Sequence, residues 1–134
     1  MIYSRRISTA SGVTEADPDY SRIVLEKGVI HQLVVAFPPG AEGLLHVRLE
    51  QGNTKIYPAG EDRDVAWDNI PLNYNTWIDL TDAPYELVAV TWNEDTAYAH
   101  DVLLQFNIDP EELLRPPQVD AGILQRLQSF FLGR

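Results

Sequence analysis

Three histidines are the side chains that first suggest chemistry, because imidazole binds metals and exchanges protons near neutral pH. They are His31, His46 and His100, and none of them forms a local pair with the spacing of zinc ligands. Alternation puts His31 on the side of Leu33 and His46 opposite Leu45, on strands that we expect to be neighbours. We therefore expect separate surface or hydrogen-bonded histidines. The alternative is one shared metal.

The 20 acidic residues could supply paired carboxylates, but in so acidic a chain some pair reaches glycosidase separation by chance. Oxygen ligands in the acidic loop 61–68 suit calcium, although the EF-hand pattern is absent, and calcium binding there stays open. We expect Asp64 and Asp95 to be solvated loop residues. The sequence has no Gly-x-Ser-x-Gly motif, no glycine-rich phosphate loop and no cysteine. It therefore predicts a protein that is not an enzyme and has no cofactor.

The net charge limits the class of partner. The 10 basic residues against 20 acidic ones give a formal charge of −10, which disfavours binding to a phosphate backbone. The longest apolar stretches have about six residues, far short of a membrane span, and the start of the chain lacks the apolar core of a signal peptide. We expect neither nucleic acid nor a membrane as a partner.

The elements that must position these side chains are short segments in which apolar and polar residues alternate, separated by Pro and Gly. Alternation of this kind is typical of half-buried β-strands. It predicts strands at 2–7, 21–26, 29–37, 43–50, 54–57, 65–70, 75–80, 85–92 and 99–108. About eight strands with frequent turn signals indicate an all-β fold, an antiparallel β-sandwich or jelly roll.

The chain divides into three parts on this interpretation. Residues 1–20 form an N-terminal strand and arm, 21–109 the β-sandwich core, and 110–134 a linker and helix. Pro110 can open a short helical turn, Pro116-Pro117 stiffen the linker, and Asp120 caps a short amphipathic helix over 121–132. The helix has an apolar stripe that packs on its own sandwich or on a neighbouring subunit: Ile123, Leu124, Leu127, Phe130 and Phe131.

Aromatic residues concentrate in the second half of the chain. An exposed Trp/Tyr platform on a β-sandwich could stack on sugar rings, which is the property of a carbohydrate-binding module. Alternatively, Trp92 and Tyr85 anchor the core, and Trp67 and Trp77 serve a protein interface, where aromatic residues are enriched. We favour the second interpretation and predict Trp67, Trp77 and the stripe of the C-terminal helix as interface residues.

Several short motifs follow one another in a specific order: Lys27-Gly28-Val29-Ile30, Phe37-Pro38-Pro39-Gly40, Gly43-Leu44-Leu45-His46-Val47, Ile56-Tyr57-Pro58, Pro84-Tyr85-Glu86-Leu87 and Trp92-Asn93-Glu94-Asp95 through His100. This order resembles a loosely characterised group of small phage-encoded β-sandwich virion proteins. The resemblance covers residues 22–108 and implies a virion component similar in kind to capsid decoration proteins. It brings no catalytic residues.

These observations together predict a non-enzymatic structural protein of a phage virion, assembled in the host cytoplasm. It would decorate or cement the outer shell by binding the major capsid protein or another virion protein, as a homo-oligomer with a trimer favoured. The alternatives are a component of the tail or head–tail connector and a carbohydrate-binding β-sandwich module.

Overall fold

The computed structural model describes residues 1–115. Eight antiparallel strands form two four-stranded sheets, which confirms the predicted all-β sandwich. The elements are β1 (Ile2–Thr9), β2 (Asp19–Val24), β3 (Gly28–Phe37), β4 (Leu45–Gln51), β5 (Thr54–Tyr57), β6 (Ile70–Leu80), β7 (Glu86–Asn93), β8 (His100–Asp109) and α1 (Glu111–Leu114).

The strand order is that of a jelly roll. Sheet I has the order β1-β8-β3-β6 and sheet II the order β2-β7-β4-β5. The first strand therefore pairs with the last, the second with the second-last, and so on inward: β1 with β8, β2 with β7, β3 with β6, and β4 with β5. A chain folded as one long hairpin and then wrapped into two layers produces this nesting.

The core lies between the two sheets and follows from the alternation in the sequence. Val102, Leu104 and Phe106 of β8 are fully buried, and Leu33 and Val35 of β3 join them from the same sheet. Sheet II supplies the opposing layer with Leu45, Val47, Leu49, Leu87 and Ala89. Each large apolar side chain buried in this way contributes about 1.5–3 kcal/mol relative to leaving it in water.

Two details of the strand predictions are wrong. In place of the two short strands predicted at 65–70 and 75–80, the chain forms one long strand, β6 (Ile70–Leu80), and Val65 makes only an isolated bridge to Val47. The strands that carry His31 and His46 are not neighbours, because β3 belongs to sheet I and β4 to sheet II. The turn that begins at Pro38 thus takes the chain from one sheet to the other instead of closing a hairpin.

The N-terminal part of the chain is held by the sandwich. β1 pairs with β8 along its whole length, from Ile2 opposite Asn107 to Thr9 opposite His100. The connection that follows is anchored to the turn between β7 and β8, because the amide of Gly12 donates to the carbonyl of Asp95 at 2.9 Å. Residues 1–20 therefore lie against the same chain.

Asn93 joins three segments at this end of the molecule. Its side-chain amide, which is buried, donates to the carbonyl of Thr9 at 3.2 Å and to that of Tyr98 at 2.9 Å. Its side-chain oxygen accepts a hydrogen bond from the amide of Asp95 at 3.0 Å. Both polar groups of this buried side chain are thus satisfied, as burial requires.

The predicted helical turn after β8 is confirmed as α1, with Glu111 and Glu112 in its first turn. The guanidinium of Arg115 closes the turn by bonding to the carboxylate of Glu111 at 2.6 Å. The predicted amphipathic helix over 121–132 lies outside the described residues. Within residues 1–115, no helix has the length and apolar character that crossing a membrane requires.

Candidate functional site

Trp67 lies in the long connection between β5 and β6, and its exposure follows from how that connection is fastened. Two residues before it, Val65 forms a two-way backbone bridge with Val47 of β4, with N···O distances of 2.9 and 3.0 Å. The bridge holds the segment against the sandwich, and the indole that follows is 56% exposed.

Asp68 fastens the other side of Trp67. One oxygen of its carboxylate accepts hydrogen bonds from the backbone amides of Gly40 and Glu42, both at 2.9 Å. These two residues have φ of 93° and 52°, and these left-handed positions in the turn after β3 accompany the approach of both amides to one carboxylate oxygen. Trp67 is therefore presented to solvent from a segment pinned on both sides.

Trp77 lies on the outer face of β6 and is 47% exposed. The guanidinium of Arg115 lies over its ring, 5.5 Å from the centroid, which is cation–π distance. Trp67 lies three residues before β6, in the segment that bridges to β4 of sheet II, whereas Trp77 lies seven residues after the start of β6, in sheet I. The two predicted interface tryptophans are thus both exposed, but different parts of the fold carry them. The other predicted interface residues, Ile123, Leu124, Leu127, Phe130 and Phe131, lie outside the described residues.

Trp92 is buried, as expected, but on the outer face of sheet II and not in the core between the sheets. It is 1% exposed because His46 stacks on it, with ring centroids 5.1 Å apart and planes 4° from parallel, while the guanidinium of Arg48 lies 5.8 Å from its ring. His46 is in turn held through Nδ1 by the carboxylate of Asp64, and a carboxylate oxygen of Glu94 lies 3.4 Å from Nε2. Register could have indicated this stack, since Trp92 and His46 are directly paired.

Each histidine has its own aspartate. His31 Nε2 lies 2.8 Å from a carboxylate oxygen of Asp109, and His100 Nε2 lies 2.8 Å from Asp95. Hydrogen bonds to the carboxylates lower both aspartate pKa values: for Asp95 first the amide of Ala97 and then His100, and for Asp109 first His31 and then the N-terminal ammonium. The histidines thus act as separate hydrogen-bonding partners at different places in the fold.

Two of the four carboxylates of the acidic loop 61–68 bond to other parts of the fold. Asp64 bonds to His46, and Asp68 bonds to two backbone amides. Over residues 1–115, no group of three or more histidine or acidic side chains is arranged to hold a metal ion.

A small cavity opens between the edges of the two sheets. It has a volume of about 250 Å³, and its lining includes Tyr57, Pro58, Tyr74 and Asn75. The hydroxyl of Tyr57 donates to that of Tyr74 at 3.0 Å, and the rings meet edge to face. Burial, followed by the bond to Tyr74, raises the pKa of Tyr57, so this hydroxyl stays a neutral donor. A lining with aromatic rings, an amide and hydroxyls could contact a small uncharged polar ring.

Comparison with known proteins finds no matching family model, no matching curated protein and no matching solved structure.

Proposed function

We propose that the protein is a non-enzymatic structural component of a phage virion, which decorates the outer face of the capsid. The jelly-roll fold is compatible with this role, because it is a frequent architecture of viral capsid domains, although lectin domains and cupins use it too. Since a fold alone does not assign a function, the proposal depends on the surface that the fold displays.

The observation that carries the proposal is the way in which Trp67 is held. A large exposed aromatic side chain on a fastened segment loses little conformational freedom when it is buried by a partner. Buried tryptophans are frequent anchors of protein interfaces. We assign Trp67 to contact with the major capsid protein or another virion protein, with Trp77 and the predicted stripe of the C-terminal segment as further contacts.

Charge and repetition support the same role. A formal charge of −10 on proteins covering a particle makes the particles repel one another and remain dispersed. On a lattice, modest individual contacts add up when the copies are linked, and we propose a homo-oligomer, with a trimer favoured. The proposed location is the virion, after assembly in the host cytoplasm.

The experiment is to purify particles of the encoding phage on a density gradient and to quantify the protein in them. We expect a copy number commensurate with the shell, and particles that are less stable once the protein is stripped off. Trp67→Ala is expected to lower rebinding to stripped particles at least tenfold. Tyr20→Ala is the matched control, since Tyr20 is 65% exposed on β2, at the edge of sheet II away from the bridge that holds the Trp67 segment. Finding the protein in the host lysate but never on particles would refute the proposal.

Two other functions make different demands. A component of the tail or the head–tail connector would be present as a single ring of copies per particle instead of covering the shell. A carbohydrate-binding module is favoured by the cavity whose lining includes Tyr57 and Tyr74. It requires glycan-array binding that is weakened by Tyr74→Ala, Trp67→Ala or Trp77→Ala, and an array with no binding would remove it.

A further inference from the structure

The two outer faces of the sandwich differ in charge. Sheet II carries paired charges across its outer face: Arg22 bonds to Glu86, and Arg48 lies 3.9 Å from Glu50. In the middle of the two central strands of sheet I the outward residues are uncharged, and we call the surface they form the uncharged face: Gln32, Val34, Ala36, Leu103, Gln105 and Asn107.

The uncharged face continues onto the edge strands. Asn73 and Asn75 of β6 lie opposite Val34 and Gln32, and Ser4 of β1 accepts a hydrogen bond from the amide of Gln105 at 3.1 Å. Charged residues stand at its ends, Arg6 with Asp101 at one and Asp79 with Asp109 at the other. The centre of one sheet is thus free of charge in a chain whose formal charge is −10.

We propose that this face binds a second copy of the same chain, sheet against sheet around a two-fold axis. Two copies with the same large negative charge repel each other, and the repulsion is smallest where the facing surfaces carry no charge. The cores of protein interfaces are likewise depleted of charged residues. Amide and hydroxyl side chains both donate and accept hydrogen bonds, so a face composed of them can complement its own copy.

The size of the face sets the strength of the contact. Five residues along each strand and four strands across give roughly 16 Å by 19 Å, or about 300 Å² per copy, with Arg6 of β1 at one corner opposite Leu103. A stable interface of standard size buries about 800 Å² per partner. The uncharged face alone therefore supports a weak dimer, which is populated at high protein concentration or when copies are held side by side. The contact does not depend on the proposed function, and in a trimeric protein it would join two trimers.

The test is sedimentation equilibrium of the full chain over a concentration series. Val34→Glu places a carboxylate in the middle of the uncharged face, and Gln105→Glu does so with almost no change of shape. Val88→Glu is the matched control, because Val88 is also half-buried on the outer face of a central strand, but on sheet II. Thermal melts establish that each variant is folded.

We expect the average mass to rise with concentration to twice that of one chain and no further. Association should strengthen as added salt screens the repulsion between the negatively charged copies. Val34→Glu and Gln105→Glu should each lower the association constant at least tenfold, and Val88→Glu should change it less than twofold. A chain that does not double in mass at millimolar concentration, or doubling that survives both face variants, would overturn the proposal. A monomer in which Val34→Glu, but not Val88→Glu, exposes residues 116–134 to protease would also overturn it, and would assign the face to the chain's own C-terminal segment.

This outcome is independent of the experiment on particles. A protein found on particles that never pairs through this face overturns the contact and leaves the proposed function standing. A chain that dimerises through this face but is never found on particles refutes the proposed function and leaves the contact standing.

Discussion

Asp68 is the residue at which the presentation of Trp67 can be tested most directly. Asp68→Ala removes the oxygen that accepts the amides of Gly40 and Glu42, both at 2.9 Å. A hydrogen bond to a charged group is worth about 1.5–3 kcal/mol when it is buried, but these bonds lie at the surface, where water replaces the lost acceptor. Glu42 also keeps its left-handed φ of 52° without the bond that favours it. We expect a loss of about 1–2 kcal/mol in the free energy of unfolding, or about 3–8 °C in Tm.

The assay is chemical denaturation followed by circular dichroism, with near-ultraviolet spectra to report the surroundings of the tryptophans. Asp68→Asn is the matched control, because its side-chain oxygen still accepts both amides, and we expect it to cost less than about 0.5 kcal/mol. Asp68→Ala should weaken the near-ultraviolet signal, and Asp68→Asn should preserve it. If the two variants lose the same stability, the charge and not the acceptor geometry holds this turn, and the explanation for the exposure of Trp67 is wrong.

Three further predictions concern the ends of the sandwich. Asn93→Ala leaves buried backbone groups without partners and should lower the free energy of unfolding by about 2–4 kcal/mol in urea denaturation; a loss below about 1 kcal/mol would contradict this. The pKa values of Asp95 and Asp109 lie below the ordinary 3.8, so their contribution to stability is complete above the unfolded pKa and is lost as the pH falls through the lowered values. Denaturation between pH 5 and pH 2 should therefore show a shallower acid loss in Asp109→Asn, and an unchanged profile would exclude this linkage. Gly28→Ala should cost about 1–3 kcal/mol in thermal melts, because its Cβ would lie 2.9 Å from the carbonyl oxygen of Asp109. Gly12→Ala, at φ of 75° and with no atom within 4 Å of the added Cβ, shows the cost of a positive φ without a clash.

Local pattern was sufficient for most of the fold. The alternation predicted β4 and β8 at nearly the bounds that the structure has, and the strands predicted at 43–50 and 54–57 form the hairpin of β4 and β5. The boundaries of β6 were missed because Pro71, Asn73 and Asn75 are poor strand formers. They are nevertheless held in the sheet by pairing with β3.

The candidate site was less predictable, because it depends on contacts between distant segments. Exposure of Trp67 and Trp77 was expected from the sequence, but the anchoring of Trp67 by Asp68 joins residues more than twenty positions apart. The burial of Trp92 outside the core was also not visible, since the alternation shows that a strand has two faces but not that His46 covers one of them. The uncharged face became apparent only when the sheet order placed β3 beside β8.

The nested pairing of the jelly roll also decides when the protein can fold during its synthesis. The innermost pair, β4 and β5, is joined by a short turn and can form as soon as both strands leave the ribosome. β1, by contrast, is synthesised before the other strands and pairs only with β8, so Ile2 cannot pair until Asn107 has been synthesised. The nascent chain must therefore keep its first strand unpaired until residues 100–109 emerge, and an exposed strand edge can meanwhile pair with the wrong partner. Arg5 and Arg6 lie in β1, and their positive charges oppose the pairing of this strand with an identical strand from a neighbouring nascent chain.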